Sequence, residues 1–557
     1  MKKQKFLVLL TLLLMSALVL AACGGGNTDN NANNNAMNNN DANHADNNDA
    51  MDNDAADNDA ADDDAMDDME ESPLVVGTTD SWTSFEPAWV YSFHDWEIFH
   101  NIADGLLNSV EGGAGAVYPA LAESYDVSDD GLVYTFHLRE GVTFPDGTPF
   151  NADAVVFSLE RVAVVDAAEG ENAGFLYSAY TTGVEKIDDM TVAVTFADNF
   201  AFSPQLVATN VWKILNPNVY SADSAGTTLT AGGIGPYVIE SFTEGEELVL
   251  VANESYYGTA PVESKVIIRY FADSSTMALA LQTGEIDIAW KSLSPADTDA
   301  MRAVDGVTVD SQPGTEIRYI VFNTNFAPFD NADVRLGLAK LLDRQELADL
   351  GFQGTKVPLN SMVPVGFLGH KPSYEGSENM DEALALLASA GFTADNPLVM
   401  DLWYSPTHYG DTEADIAAIM KSQFEASGVV EVSLQFLEWG AYRDAGRVGE
   451  TPVALYGWYP DYLDSDNYVG PFVPGTWAAG PPGFVNDDVS ALITEQASEG
   501  DEAARIAVLG DLQDLWVTQS PMVPFAQGSL FVAYNDGISG VTLDPLALFH
   551  YFLVDKE

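Results

Sequence analysis

The sequence predicts a mixed α/β protein behind an N-terminal leader, and three observations support this prediction. First, 47% of the 557 residues are hydrophobic, which is enough to form sizeable cores. Second, segments with the alternation of strands are interleaved with segments of helical spacing from residue 73 onward. Third, no repeat of the 20–50 residues typical of solenoids and propellers stands out. The length favours two to four domains.

Residues 1–22 are predicted to be a signal peptide. Three lysines lie in residues 1–5, and an apolar run of 15 residues follows at 6–20. That length is typical of a signal peptide and short for a membrane span. Leu20-Ala21-Ala22-Cys23 then resembles the lipobox of bacterial lipoproteins, with the chain's only cysteine in the modified position. The resemblance implies cleavage after residue 22 and a lipid on Cys23. The alternative is a plain secretory signal with a chance cysteine.

Residues 23–72 are predicted to form the lipidated cysteine and a disordered tether. This stretch consists mainly of Asn, Asp and Ala and lacks the aromatic and β-branched residues that would bury a core. A flexible coil of this length spans roughly 35–40 Å root-mean-square. No later stretch approaches the ~18 apolar residues of a membrane span, so the lipid would be the only anchor.

The elements predicted from residue 73 onward alternate in type. Strands are indicated by short alternating or β-branched runs bounded by turns, at 74–77, 134–138, 191–196, 266–270, 286–288, 398–404 and 432–437. Helices are indicated by capping residues, helical spacing and terminal glycines. They are expected at 154–161 after Asn151, 275–282 before Gly284, 333–350, 380–390 before Gly391, and 411–426.

The charge of the chain excludes several classes of partner. It has 85 acidic and 22 basic residues, a formal charge of −63, and such a surface repels nucleic acids and anionic membranes. Residues 73–557 alone hold 70 acidic and 19 basic residues. A salt-rich habitat and an ordinary acidic secreted protein are both consistent with this charge. A single cysteine excludes a disulfide framework and a cysteine zinc site.

No enzyme motif stands out in the sequence. The H-E-x-x-H, G-x-S-x-G and G-x-x-x-x-G-K-[ST] motifs are absent, and the seven histidines are scattered. Carboxylate pairs of the glycosidase kind are too numerous in so acidic a chain for one to be singled out. We therefore predict a protein that is not an enzyme and needs no cofactor and no metal.

Six segments together carry a family resemblance. The most specific is YPALAESYDVSDDGLVYTFHLREGVTFPDGTPFNADAVVFSLER at 118–161. It resembles the signature of the family 5 extracellular solute-binding proteins, the oligopeptide, dipeptide and nickel receptors of ABC importers. Further matches follow in the family's order, at 233–237 (GIGPY), 281–287 (LQTGEID), 328–344 (PFD to LDR), 387–392 (LASAGF) and 457–462 (GWYPDY).

The resemblance implies a two-lobed periplasmic-binding-protein-like fold that encloses its ligand between hinged lobes. Lobe I would comprise 73–107, 206–312 and 520–557, with an extra subdomain at 108–205, and lobe II would comprise 313–519. It also implies a monomeric receptor on the outer face of the cell membrane that captures peptides and delivers them to the permease subunits of an ABC importer. An oligosaccharide receptor, a nickel-complex receptor and a surface sensor without transport remain alternatives.

The resemblance also suggests site residues. Asp461 follows the apolar run 453–458 and matches the position that pairs with the α-amino group of a peptide; a turn or cap residue is the alternative. A carboxylate in a closing cleft needs a cation to offset its desolvation. The other candidates, each also consistent with core packing or a solvated loop, are Trp458, Trp439 and Tyr404 as pocket walls, Tyr319 and Asn323 as backbone contacts, and Trp82, Glu86 and His408 as weaker ones. Asp464 and Asp466 are predicted to be turn residues.

One departure from the family leaves the other end of the ligand unassigned. Some tripeptide-binding relatives have an arginine three residues before the tryptophan of the G-W pair, whereas this chain has Leu455. The candidates by sequence region for a carboxylate anchor are Arg318, Arg443 and Arg447. The sequence does not identify the length of the ligand.

Overall fold

A long mixed sheet runs through the folded part of the chain. The computed structural model describes residues 72–113, 115–169, 173–225, 232–291, 293–410, 412–472 and 480–557. These residues belong to one unit, Glu70–Glu557. The predicted signal peptide, Cys23 and nearly all of the predicted tether lie outside the described residues. The predicted mixed α/β class is confirmed by the strands and helices that follow.

The described part of the chain contains strands from near its start to its last residues. They are β1 (Leu74–Thr78), β2 (Leu107–Ser109), β3 (Val117–Pro119), β4 (Ala122–Val127), β5 (Val133–Leu138), β6 (Thr181–Asp188), β7 (Thr191–Phe196), β8 (Tyr237–Thr243), β9 (Glu247–Ala252), β10 (Lys265–Tyr270), β11 (Ile288–Trp290), β12 (Val307–Phe322), β13 (Lys356–Pro358), β14 (Leu398–Tyr404), β15 (Val430–Phe436), β16 (Val453–Trp458), β17 (Met522–Asn535), β18 (Ile538–Ser539) and β19 (Asp555–Lys556).

The helices are mostly short and lie between the strands. They are α1 (Phe93–Ile102), α2 (Ala152–Glu169), α3 (Phe175–Ser178), α4 (Ser203–Val207), α5 (Ser274–Thr283), α6 (Pro295–Met301), α7 (Ala332–Ala339), α8 (Arg344–Glu346), α9 (Met380–Ser389), α10 (Glu413–Glu425), α11 (Trp439–Arg447), α12 (Asp487–Ser498) and α13 (Glu502–Gln519). Within the described ranges, none of them combines the length and the apolar character needed to cross a bilayer.

The main sheet has the strand order β15-β14-β16-β12-β17-β11-β1-β10-β9-β8, and β13 pairs with β17. The long antiparallel strands β12 and β17 lie at its centre. The first part of β12 pairs with the end of β17 that borders β11. The last part of β12 lies between two strands, with β17 on one side and β16 on the other. The register shifts between Pro313 and Ile317, close to the boundary predicted between the lobes. The division into lobes remains a prediction.

A second, four-stranded antiparallel sheet has the order β4-β5-β7-β6 and lies within residues 108–205. Alternate residues of β5 and β7 are buried, which is the pattern of strands with one face on a core. The helix α2 packs against β6 and β7. Its N-terminus is capped as predicted, because the Asn151 side chain accepts a hydrogen bond of 3.2 Å from the backbone of Ala154.

The prediction of one continuous helix over 333–350 is wrong. The sequence predicts a single helix over 333–350, but α7 ends at Ala339 and α8 begins at Arg344. The break occurs because the side chain of Asp343 accepts a hydrogen bond of 2.9 Å from the backbone of Glu346 and so caps a new helix. A π-helical turn, Leu347–Gly351, continues from α8.

The glycines of the G-I-G-P-Y segment allow two backbones to approach each other closely. A Cβ atom on Gly235 would lie 2.2 Å from the carbonyl carbon of Ile102, and one on Gly233 would lie 2.4 Å from the Cβ of Ala103. Ile234 also accepts a backbone hydrogen bond of 2.9 Å from Asp104. These contacts fix the C-terminal end of α1, which forms part of the cavity described below.

Candidate binding site at Asp461

Asp461 lies three residues beyond β16, a strand in which all six residues are buried. The loop that carries it is held by Asn467, whose side-chain oxygen accepts hydrogen bonds from the backbone of Asp461 at 2.9 Å and from the Trp458 indole at 3.0 Å. Trp458 therefore helps to position Asp461, and its ring also packs edge-on against Phe472 at 5.7 Å between centroids.

The carboxylate of Asp461 is buried, at 5% exposure. Among the described residues, no lysine, arginine or histidine nitrogen lies within 4.0 Å of it. The hydroxyl group of Tyr91, 370 positions earlier in the chain, donates a hydrogen bond to its Oδ1. Burial raises the pKa of Asp461 to about 6, and hydrogen bonds from Tyr91 and Asn467 offset part of that rise. A buried acid without a cation in a cleft is a candidate for binding a cationic group of a ligand.

Asp461 lines a cavity whose other walls come from distant segments. Trp96 and His100 of α1 contribute one wall, Asn210 and Lys213 another, and Leu546 and Leu548 a third. Within the part of the chain that the structure describes, the Oδ1 atom of Asn210 and the Oε1 atom of Gln205, both on this cavity, are buried without a hydrogen-bond partner. With Asp461, these atoms place hydrogen-bond acceptors on the cavity wall, which suits a ligand with N–H groups.

A second cavity neighbours the first, and Gln205 and Leu463 line both. Its wall includes Arg505, whose guanidinium group donates two hydrogen bonds to Asp464, at 2.9 and 2.5 Å. Asp464 also accepts a backbone hydrogen bond of 2.7 Å from Asp466, which is the turn contact predicted for it. Asp464 therefore has an ion pair in addition to its role in the turn.

Aromatic contacts connect the chain neighbours of Asp461 with residues of the N-terminal half of the protein. Tyr462 stacks on Phe202 with ring centroids 5.1 Å apart and planes at 13°, and Tyr459 packs against Phe93 at 5.6 Å. The backbone of Ala201, next to Phe202, also donates a hydrogen bond of 2.7 Å to the carbonyl of Ala497. These contacts connect residues of predicted lobe I and its subdomain with residues of predicted lobe II.

Three predicted site residues make aromatic contacts away from Asp461. Trp439 is half-buried and stacks on His408 with centroids 3.6 Å apart and planes at 4°, while Tyr404 packs against Phe436. His408 remains exposed, but desolvation of its ring, together with the charge of Arg318, lowers its pKa to about 4. The wall of the Asp461 cavity includes none of these three residues.

The remaining predicted residues are engaged in internal contacts. Tyr319 is fully buried in β12. The Asn323 side chain donates a hydrogen bond of 3.0 Å to the carbonyl of Gly449. Trp82 packs against Phe85 and Phe99 with centroids 5.2 and 5.7 Å away. Glu86 accepts two hydrogen bonds from Arg161 in a buried ion pair. Their direct roles toward a ligand remain predictions.

Arg318, one of the arginines considered as an anchor for a carboxylate, already has a buried partner. Its guanidinium group donates hydrogen bonds of 2.5 and 2.7 Å to Glu413 and lies 4.1 Å from the centre of the Tyr409 ring.

Sequence reasoning did not single out Lys213, Asn210 or Gln205. The one available signal was a lysine within the apolar run Val211-Trp212-Lys213-Ile214-Leu215, where a charged side chain is exceptional.

Comparisons with known proteins agree with this architecture. The sequence profile of the bacterial extracellular solute-binding proteins, family 5 Middle, matches residues 116–480. Di/tripeptide-binding protein 1 of Pseudomonas aeruginosa is 27% identical, with 87% of this chain and 94% of that protein covered. Heme-binding protein A of Haemophilus influenzae is 28% identical, with 80% and 85% covered.

A solved structure supports the fold at the level of three-dimensional similarity. The structure of HbpA2 from Haemophilus parasuis superposes with a TM-score of 0.77 at 23% identity, covering 87% of this chain and 100% of that one. The predicted fold class is thereby confirmed. Because the family profile spans about two thirds of the chain, from the second sheet to beyond Asp461, the protein belongs to the family 5 bacterial extracellular solute-binding proteins.

Proposed function

We propose that this protein captures short peptides between hinged lobes and that Asp461 binds their α-amino group. The observation that carries the proposal is the buried carboxylate of Asp461, which has no cation among the described residues within 4.0 Å. An ammonium group of a ligand would supply the missing positive charge inside a site from which water is excluded. The similarity to a di/tripeptide-binding protein supports peptides as the class of ligand.

The neighbouring acceptors extend this interpretation beyond the amine. The free oxygen atoms of Asn210 and Gln205 lie on the same cavity, where they would accept N–H groups of the ligand. The leucines at 546 and 548 would contact apolar side chains.

A competition among ligand classes tests the proposal. Isothermal titration of the full-length protein in detergent would compare a free dipeptide, its N-acetylated form, a maltooligosaccharide, nickel ions and heme. We expect binding of the free dipeptide and at least tenfold weaker binding of the acetylated form, because acetylation removes the positive charge. Binding of the sugar, nickel or heme in place of the dipeptide would contradict the proposal and favour the corresponding receptor.

Release of the ligand to an ABC importer completes the proposed role. Receptors of this family are extracytoplasmic, and closure around a ligand gives an importer a shape by which to distinguish loaded from empty receptor. Uptake of a radiolabelled dipeptide by cells that lack this protein should fall relative to the parent strain. Unchanged uptake together with binding in vitro would favour a sensor.

The anchor that we propose is a lipid on Cys23, attached after removal of residues 1–22. The apolar run 6–20 and the Leu-Ala-Ala-Cys sequence support this proposal. Several acyl chains would hold the protein stably on a membrane. Cys23→Ser should move the protein from the membrane fraction to the soluble or secreted fraction and abolish incorporation of labelled palmitate. Membrane retention of the variant would point to an uncleaved signal instead.

A further inference from the structure

Tyr91 is the exposed partner of Asp461. It lies in the loop between β1 and α1, directly before Ser92, the N-cap residue of α1. Tyr91 is 54% exposed, although its hydroxyl group donates a hydrogen bond to Oδ1 of the buried Asp461 carboxylate. Its ring packs edge-on against Trp96 and Phe175, with centroids 5.6 and 6.1 Å apart. Tyr91 therefore covers Asp461 from the solvent side without being packed into the core.

Two other residues that hold the Asp461 loop are fixed in place. Asn467 accepts the hydrogen bond from the Asp461 backbone and is 1% exposed. Trp458, which donates to the same oxygen of Asn467, is also buried. Both belong to the segment that carries Asp461, whereas Tyr91 lies 370 positions earlier. Exposed side chains change rotamer in picoseconds to nanoseconds, so Tyr91 is the one of these three that can leave most easily.

The space at Asp461 is too small for a ligand unless a group moves. The cavity that Asp461 lines has a volume of about 30 Å³. That is room for roughly one or two water molecules, whereas sites that enclose small molecules measure roughly 300–1,000 Å³. An ammonium group also needs a carboxylate oxygen, and Oδ1 already accepts the Tyr91 hydroxyl. Movement of Tyr91 would free this oxygen and uncover Asp461 on its exposed side.

The hydroxyl group and an amine differ in charge as partners of Asp461. Burial of the hydroxyl and then the negative charge of Asp461 raise the pKa of Tyr91 well above its usual value, so the hydroxyl stays neutral. A neutral donor gives a buried carboxylate a hydrogen bond but leaves its charge unpaired. An ammonium group donates to the same oxygen and also brings the missing positive charge. Tyr91 is thus the weaker of two possible partners for one position.

We infer that Tyr91 is an internal occupant of the amine position, which caps Asp461 in the empty receptor and is displaced by the ligand's ammonium group. This inference rests on the proposed function, in which Asp461 binds the amine. It adds a regulation of that site, because each ligand has to break the Tyr91 bond and so binds more weakly than Asp461 alone would allow. When the ligand leaves, the hydroxyl returns to Oδ1 and restores a hydrogen bond to the buried carboxylate, which favours release.

Removal of one hydroxyl group tests this inference. Isothermal titration of the full-length protein in detergent at pH 7 would compare binding of the dipeptide Ala-Phe to the wild type and to Tyr91→Phe, which keeps the ring. We expect Tyr91→Phe to bind about tenfold more tightly, the factor that corresponds to one hydrogen bond to a charged group. The matched control is Tyr534→Phe, which removes a hydroxyl bound at 2.7 Å to Asp310, outside the lining of the Asp461 cavity. It should leave the affinity within twofold.

A spectroscopic measurement shows whether the hydroxyl group leaves Asp461. Replacing Tyr91 by 3-fluorotyrosine gives one ¹⁹F resonance, and Asp461→Ala in the same labelled protein shows where that resonance lies once the hydroxyl has lost its acceptor. Saturating Ala-Phe should move the resonance of the protein with Asp461 intact toward the Asp461→Ala position. A resonance that stays in place would mean that the hydroxyl shares the carboxylate with the ligand, and it would overturn the displacement.

The outcomes separate this inference from the proposed function. If the wild type binds Ala-Phe and a folded Tyr91→Phe protein binds it equally or less tightly, Tyr91 does not compete with the ligand, while the proposed function stands. If only Tyr91→Phe binds the dipeptide, both are supported. If neither protein binds it, the proposed function fails and this inference fails with it. Thermal melting of each variant checks that it is folded.

Discussion

Asp461→Asn is expected to weaken binding of a free dipeptide by a factor of about 30 to several thousand. Truncating or neutralising one partner of a buried charge pair typically costs about 2–5 kcal/mol, and each 1.4 kcal/mol is tenfold in affinity. The loss is large because the ligand's ammonium group would be buried beside Asp461 with no other carboxylate on that cavity. Isothermal titration of wild type and variant with the same dipeptide measures the factor.

A matched control and a second ligand separate charge from other effects. Asp129 is exposed, and Asp129→Asn makes the same change of charge away from the cavity, so it should leave affinity unchanged. The N-acetylated dipeptide, which has no ammonium group, should bind wild type and Asp461→Asn about equally weakly. If Asp461→Asn bound the free dipeptide as tightly as the wild type does, the amine would have to bind elsewhere.

The same substitution should stabilise the ligand-free protein. Burial raises the pKa of Asp461 to about 6, above the value of about 3.9 for an unperturbed aspartate. The folded state therefore holds the proton more tightly than the unfolded state, and stability falls as pH rises from about 4 to about 6. At pH 7 the cost is roughly 2–3 kcal/mol, and asparagine does not incur it. The variant should melt above the wild type at pH 7, with a gap that narrows toward pH 4.

The sequence predicted the elements whose signals are local. The strand 398–404 and the helix after Asn151 were found because alternation and caps are read from neighbouring residues. The break before Arg344 was missed, although Asp343 is itself a capping residue, because the apolar spacing continued through it. Asp461 could be nominated because a buried strand leads to it, and family resemblance gave it a role.

The rest of the site depends on contacts between distant residues. The Tyr91 hydroxyl meets Asp461 across 370 positions, and Lys213 meets Asn108 across 105. Arg318 looked available as an anchor because its partner, Glu413, lies 95 positions away on α10. The composition showed how few basic residues the chain has. It could not show that Arg318 is neutralised inside the fold by Glu413.

Arg318→Met is expected to lower the free energy of unfolding by about 3–5 kcal/mol, the cost of removing one partner of a buried ion pair. Arg318 and Glu413 are both fully buried, so methionine at 318 would leave the Glu413 carboxylate without its two hydrogen bonds and its cation. Urea unfolding of the ligand-free protein measures the loss. Lys265→Met is the control, because it breaks an exposed pair with Glu240 that is worth about 0–1 kcal/mol.

The double variant Arg318→Met/Glu413→Leu decides whether the buried charge or the packing is responsible. If the loss comes from the charge stranded on Glu413, removing both partners should recover most of it, since apolar replacements of buried ion pairs are often neutral or stabilising. If the loss comes from the guanidinium's contacts with the Tyr409 ring and with the Tyr456 carbonyl at 3.1 Å, the double variant should remain as unstable as the single one. The Tyr456 contact ties β12 to β16, the strand that leads to Asp461. Persistent instability would therefore mean that Arg318 supports the site through packing rather than through its charge.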